Sequence, residues 1–332
     1  MKKILLVGHD GEARLPFEKS KAWTAFANVL SEYEFEIVSE YSDDVHAIIA
    51  NSHKHDFMNN NQFEKISHTK RTLILWEPYV VETERYKKET LESYGHIYAP
   101  SRIWADRVGG ISFNWPQDPI QGDSSKFENW ESRLDKIVMI QGNKFSARRG
   151  ELYSLRRRLL CKLEQSELDL YGTNWNTGVK FDWWHWSRSL INSKITDISL
   201  RSSFGIGRKY PNFRGSVEDK QKTLEKYQIS LVIENSADFV SEKLFDSLRA
   251  GCLTIYVGPN LELFGLSSDV AIVARNSRKE ILATIEKVVE MGATERRLIA
   301  NQHYENLKAC SGFWENELVL ANLAHQIARE LA

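Results

Sequence analysis

The feature that most constrains this chain is a rhythm of short apolar runs alternating with stretches of helical period, which halts midway and then restarts. Lys2-Lys3-Ile4-Leu5-Leu6-Val7-Gly8 reads as a buried strand ending at glycine. From about Ser20 to Tyr33, Trp23, Phe26, Val29 and Leu30 fall at the spacing of one helix face. Strand patterns follow at Phe35–Val38, Val45–Ala50, Thr72–Trp76 and Tyr94–Ala99. The polar stretch Gln117–Trp130, rich in Gly, Pro, Ser and Asp, is the natural linker. Beyond it lie strand patterns at Lys136–Ile140, Leu168–Gly172, Ile229–Ile233, Leu253–Val257 and Ala271–Ala274. Helical patterns at Arg149–Leu163, Lys220–Tyr227 and Glu242–Ala250 alternate with them, and the chain closes on Arg278–Met291, Thr294–Lys308 and Trp314–Leu331. Strands separated by helices imply βαβ units and mostly parallel sheets. The expected fold is α/β: two Rossmann-like domains, 1–125 and 126–310, facing across a cleft, with a C-terminal helix at 311–332 packing back on the first. Open parallel sheets bind ligands at the carboxyl ends of their strands, so the cleft is the expected site.

Charge and composition narrow the function. Lys plus Arg (44) nearly cancels Asp plus Glu (45), without the basic excess of a nucleic-acid binder. No apolar run reaches the roughly eighteen residues of a membrane span, which leaves only peripheral association with a membrane. Cys161, Cys252 and Cys310 lie far apart, fitting a reducing compartment and offering no zinc pattern, so a cytoplasmic location is expected. Gly205-Ile206-Gly207 lacks the third glycine of a dinucleotide loop, His53 and His55 have no further ligands nearby, and no Asp-x-Asp follows a strand. Neither a metal site nor a cofactor is expected.

The chemistry concentrates in Tyr227–Gly251. A largely apolar strand delivers Glu234 and Asn235 at its carboxyl end, a short polar loop follows, and Ser241 stands where the next helix needs a cap. Leu244, Phe245 and Leu248 share the buried face of that helix, which puts Glu242 and Lys243 in its first turn. A lysine there opposes the helix dipole unless it holds an anion, and the alternative is a solvated pair.

The run Lys220-x3-Leu224-x2-Tyr227-Gln-Ile-x-Leu-x-Ile-Glu-Asn-Ser, then Phe-Val-Ser-Glu-Lys-Leu-Phe, then Ala-Gly-x4-Tyr-Val-Gly258-Pro259, resembles the donor-binding signature of the α-1,3/1,4-fucosyltransferases, glycosyltransferase family ten. The resemblance implies a GT-B fold, an acceptor-binding first domain and a donor-binding second domain. It implies that Lys243 contacts the diphosphate of GDP-fucose, that Glu242 holds the ribose hydroxyls and that Phe239 lies by the guanine. The Arg-x3-Tyr spacing of Arg149 and Tyr153 matches a second diphosphate-binding residue, with Arg148 as competitor. Arg157 and Arg158 read as a solvated helix face. Glu77, in Glu77-Pro78 after a strand pattern, resembles the family's general base; a turn glutamate is the other reading, and Glu82 and Glu84 are fallback bases.

Phe239 and Ser241 stand where the family has tyrosine and threonine, the loop between Asn235 and Phe239 is short, and the serine beside the family's base is missing. The implied reaction is inverting, metal-independent transfer of fucose to a glycan hydroxyl. A carboxylate takes the acceptor proton while Arg149 and Lys243 neutralise the leaving diphosphate. His9, Trp184 and Trp186 are acceptor candidates, the two tryptophans reading equally as packing. A different nucleotide-activated sugar, or a carbohydrate-binding protein that lost turnover, are the alternatives.

Overall fold

The computed structural model describes residues 1–7, 21–51, 61–120, 124–176, 204–205 and 208–332. They form two compact units: residues 1–119 with 263–265 and 311–332, and residues 120–262 with 266–310. His9, His53, His55, Trp184 and Trp186 lie outside the described residues.

The first unit runs β1 (Lys2–Val7), α1 (Lys21–Glu32), β2 (Phe35–Val38), β3 (Val45–Ala50), α2 (Asn61–Lys65), β4 (Arg71–Ile74), α3 (Lys88–Leu91), β5 (His96–Ala99), α4 (Arg102–Val108) and β6 (Ile111–Ser112). Its sheet is ordered β2-β1-β3-β4-β5-β6, with every pairing parallel. Both faces are covered, which is why the strands carry unbroken apolar runs rather than alternation.

The second unit runs β7 (Leu134–Ile140), α5 (Tyr153–Leu160), β8 (Leu168–Tyr171), β9 (Phe213–Gly215), α6 (Lys220–Leu224), β10 (Tyr227–Ile233), α7 (Glu242–Arg249), β11 (Leu253–Val257), β12 (Ile272–Val273), α8 (Arg278–Glu290) and α9 (Ala293–Ala309). Its parallel sheet is ordered β12-β11-β10-β7-β8-β9. The order reverses between β7 and β10: the chain leaves β7 towards β8 and leaves β10 towards β11. Such a switch point opens a crevice at the strands' carboxyl ends, where doubly wound sheets bind ligands. The final helix, α10 (Asn316–Leu331), belongs to the first unit and buries Leu320, Leu323 and Ile327 in one cluster with Phe26 and Leu30 of α1.

Three expectations from sequence need correction. The polar stretch at Gln117–Trp130 is not a free linker. Phe127 and Trp130 are buried in the second unit's core, with Trp130 Nε1 donating to the Gly251 carbonyl at 2.7 Å. Gln117 pairs with the Trp314–Asn316 backbone in the first unit. The helix expected from Arg149 begins only at Tyr153, because the preceding residues pair with another loop. The arginines of α5 do not form a solvated face: Arg156 is 1% and Arg157 0% exposed, and Arg158 is half-buried.

Candidate functional site

Every residue of β10 is buried, and the strand delivers Glu234 to a place with no solvent contact. Its two carboxylate oxygens are engaged by one residue: the Ser241 amide donates to Oε1 at 2.9 Å and the Ser241 hydroxyl to Oε2 at 2.6 Å. This pinches the loop after β10 shut and sets Ser241 as the N-cap of α7, its Oγ accepting from the Lys243 amide. Burial raises the Glu234 pKa, against the charge of Lys243 and the bonds from Ser241. Gly258 has to be glycine, since a Cβ there would stand 2.3 Å from Tyr256 Oη and 2.9 Å from Glu234 Cγ.

Lys243 follows in the first turn of α7. Its side chain is 13% exposed, and Nζ lies 2.9 Å from Ser241 Oγ and 3.3 Å from Glu242 Oε1. Glu242 is half-exposed. Burial works against its charge, yet Lys243 and Lys220 bring its pKa below the usual carboxylate range. Two ammonium groups, a partly open carboxylate and a capped helix N-terminus together suit an anion that also carries hydroxyls.

The other wall of the switch point is the loop after β7. The Leu152 amide donates to the Asn235 carbonyl at 3.0 Å, and the Ala237 amide to the Gly150 carbonyl at 3.0 Å. The Glu151 carboxylate, just before α5, accepts from the Ser154 amide at 2.8 Å and from its hydroxyl at 2.6 Å. The loops that follow β7 and β10 are thereby stitched to each other, and Arg149 stands exposed at the turn into the stitch. Arg156 ties the same two strands from beneath. It donates to the Ile233 carbonyl through Nε at 3.1 Å and Nη2 at 2.5 Å, to Asn235 Oδ1 at 3.0 Å and to the Gly142 carbonyl at 3.4 Å. Burial pushes its pKa down to about 10.

The six donor candidates thus sort by environment. Arg149, Asn235, Glu242 and Lys243 sit on the loops and helix start that leave β7 and β10. The Glu234 carboxylate is directed inward to Ser241, and the Phe239 ring is 2% exposed. Sequence reasoning assigned no role to Arg156 or Lys220. Arg156 carried no signal, because the carbonyls that hold it are invisible in sequence, whereas Lys220 opened the matching run.

In the first unit, Glu77 stands three residues beyond β4, at the carboxyl side of the sheet, and is half-buried. Its carbonyl accepts from Tyr86 Oη at 2.8 Å. The turn packs through Tyr79 and Tyr86 on Trp104, at ring separations of 5.0 and 4.6 Å. Beside it, Trp76 makes edge contacts with Trp23, Phe113 and Trp115. Buried Arg85, its pKa lowered by desolvation, is steadied by the charges of Glu82 and Glu77. The fallback bases are engaged: Glu82 with Arg85 at 2.8 Å and Glu84 with Lys87 at 2.5 Å. Among the described residues, no group of three or more His, Cys, Asp or Glu could hold a metal ion, and no helix is long and apolar enough to cross a membrane.

The sequence matches no family model. An Arabidopsis thaliana protein named as fucosyltransferase-like is 43% identical over 77 residues, a match that spans 22% of this chain and 14% of that protein. Among solved structures, an α1,3-fucosyltransferase with GDP is similar at a TM-score of 0.55 and 12% identity, covering 99% of this chain and 89% of that one. Anabaena HepE in complex with UDP and glucose is similar at a TM-score of 0.54 and 10% identity, covering 99% of both chains. With its two parallel six-stranded sheets and these structural neighbours, the chain has the GT-B fold of glycosyltransferases.

Proposed function

We propose that the chain is an inverting, metal-independent glycosyltransferase that moves fucose from GDP-fucose to a hydroxyl of a glycan acceptor on the cytoplasmic side of a membrane. The observation that carries this reading is the stitched pair of loops at the β7/β10 switch point, from which Arg149 and the Glu242–Lys243 helix start both emerge. Arg149 and Lys243 bind the diphosphate, Glu242 the ribose hydroxyls, and Asn235 and Phe239 shape the pocket. Glu234 serves through Ser241 rather than by touching the donor.

In the reaction, the acceptor oxygen attacks the anomeric carbon as its proton passes to the Glu77 carboxylate. The bond from that carbon to the diphosphate oxygen breaks, and the leaving diphosphate carries away the electron pair. A lysine, an arginine and helix amides fixed before the reaction stabilise that charge without reorganising. Single displacement inverts the anomeric centre. His9, Trp184 and Trp186 are the proposed acceptor contacts.

The similarity to a UDP-glucose-binding GT-B protein supports a second reading, transfer from a different nucleotide sugar. A carbohydrate-binding protein without turnover is the third. Incubation with GDP-fucose or with UDP-glucose and no acceptor separates them: slow release of GDP and fucose is expected, hydrolysis of UDP-glucose alone favours the second reading, and no release from either favours the third. For the base, Glu77→Gln is expected to lower transfer at least about a hundredfold while leaving the affinity for GDP unchanged. Transfer intact in Glu77→Gln removes Glu77 from the mechanism.

A further inference from the structure

Lys220 opens α6, a five-residue helix capped by Asp219, whose Oδ1 accepts from the Lys222 amide at 2.9 Å. Its Nζ lies 2.6 Å from Asp246 Oδ2 and 3.8 Å from Glu242 Oε1. Glu242 and Asp246 are four residues apart on α7 and so share a face of that helix. Lys243 Nζ approaches the same Glu242 oxygen, Oε1, at 3.3 Å. Asp246 is also held by Arg249, at 3.3 Å. Lys220, Lys243 and Asp246 line one small cavity together with Gln141 and Ser230.

The arrangement divides labour between the two lysines. An anion drawn to the start of α7 draws Lys243 away from Glu242, because a diphosphate carries more charge than one carboxylate. When Lys243 turns to such an anion, Glu242 keeps Lys220, which Asp246 prevents from following. We propose that Lys220 is a positioning residue that acts through Glu242, holding its carboxylate aimed at the ribose hydroxyls of a nucleoside diphosphate. The proposal rests on the reading of Glu242 as the ribose ligand.

The test compares GDP with 2′,3′-dideoxy-GDP by calorimetric titration of the full chain, in the wild type and in Lys220→Met, Lys220→Arg, Glu242→Gln and the double variant Lys220→Met/Glu242→Gln. The wild type prefers GDP. Because the lysine and glutamate are both partly exposed, Lys220→Met weakens GDP by about threefold and leaves 2′,3′-dideoxy-GDP unchanged. Lys220→Arg restores the preference, and the double variant discriminates no less than Glu242→Gln alone. Equal weakening of both nucleotides by Lys220→Met, no weakening of either, or an additive double variant overturns the proposal. If the wild type itself binds the two nucleotides equally, the ribose reading of Glu242 fails, and the role of Lys220 falls with it.

Discussion

Lys243→Met is expected to lower kcat/KM for the nucleotide-sugar donor by about a hundredfold to a thousandfold, with little change in the stability of the fold. Methionine keeps the aliphatic stem that lies against the start of α7 but removes the charge. In the structure Nζ contacts only Ser241 Oγ and Glu242 among the described residues. Losing one hydroxyl contact and one partly exposed ion pair costs about 1 kcal/mol of stability. The helix cap survives, since both Glu234 oxygens keep their bonds from Ser241, although the buried carboxylate loses the opposing charge of the lysine. In the proposed reaction the leaving diphosphate keeps Arg149 and the helix amides but loses one of its two cations as its charge develops. Steady-state kinetics alongside urea unfolding separate the two effects. A Lys243→Met protein that turns over normally shows that the lysine serves only its neighbours.

Arg156→Met is expected to have the largest effect on folding, lowering stability by about 3 kcal/mol. The guanidinium is sealed between β7 and β10, and its hydrogens go to the carbonyls of Ile233 and Gly142 and to Asn235 Oδ1. Methionine fills much of the volume but leaves buried acceptors without donors, each a penalty of about 1–3 kcal/mol before relaxation. Lysine does not rescue it, because a single ammonium cannot reproduce a fork that spans two strand ends. The urea midpoint of the second unit's transition is the measurement, and a midpoint within error of wild type contradicts the assignment. The Asn235 side chain loses its anchor in the same variant, so donor affinity falls as well.

Most of the strands were legible because both faces of each parallel sheet are covered, which leaves uninterrupted apolar runs such as Ile4–Val7 and Ala47–Ala50. Strands too short to show a pattern were not: β6 has two residues and β9 three. The early start expected for α5 failed for a tertiary reason. Gly150–Leu152 exchange backbone hydrogen bonds with the loop after β10 instead of with the next turn of their own helix. Phe127 and Trp130 sat in a polar stretch that read as linker, and only the core around Gly251 shows why they are aromatic.

The candidate site was legible in its parts but not in its wiring. Strand, polar loop and capped helix were visible around Glu234, Ser241 and Lys243, and the resemblance supplied roles for Glu242 and Arg149. The inward turn of the Glu234 carboxylate depends on an amide and a hydroxyl seven residues later, a pairing that no local rule encodes. Arginines count as surface residues until two strand ends present them with buried carbonyls, as happens to Arg156.

The proposed reaction has one requirement above the rest: the start of α7, with Lys243, receives the diphosphate of a nucleotide. Its most direct test is thermal unfolding of the wild type and Lys243→Met with GDP, UDP, CMP and dTDP and their sugar conjugates. A ligand that binds only the folded state at a hundred times its Kd stabilises it by about 2.7 kcal/mol. The expected result is a raised Tm with GDP and GDP-fucose in the wild type and none in Lys243→Met. Stabilisation by no nucleoside diphosphate, or the same stabilisation in both proteins, contradicts it.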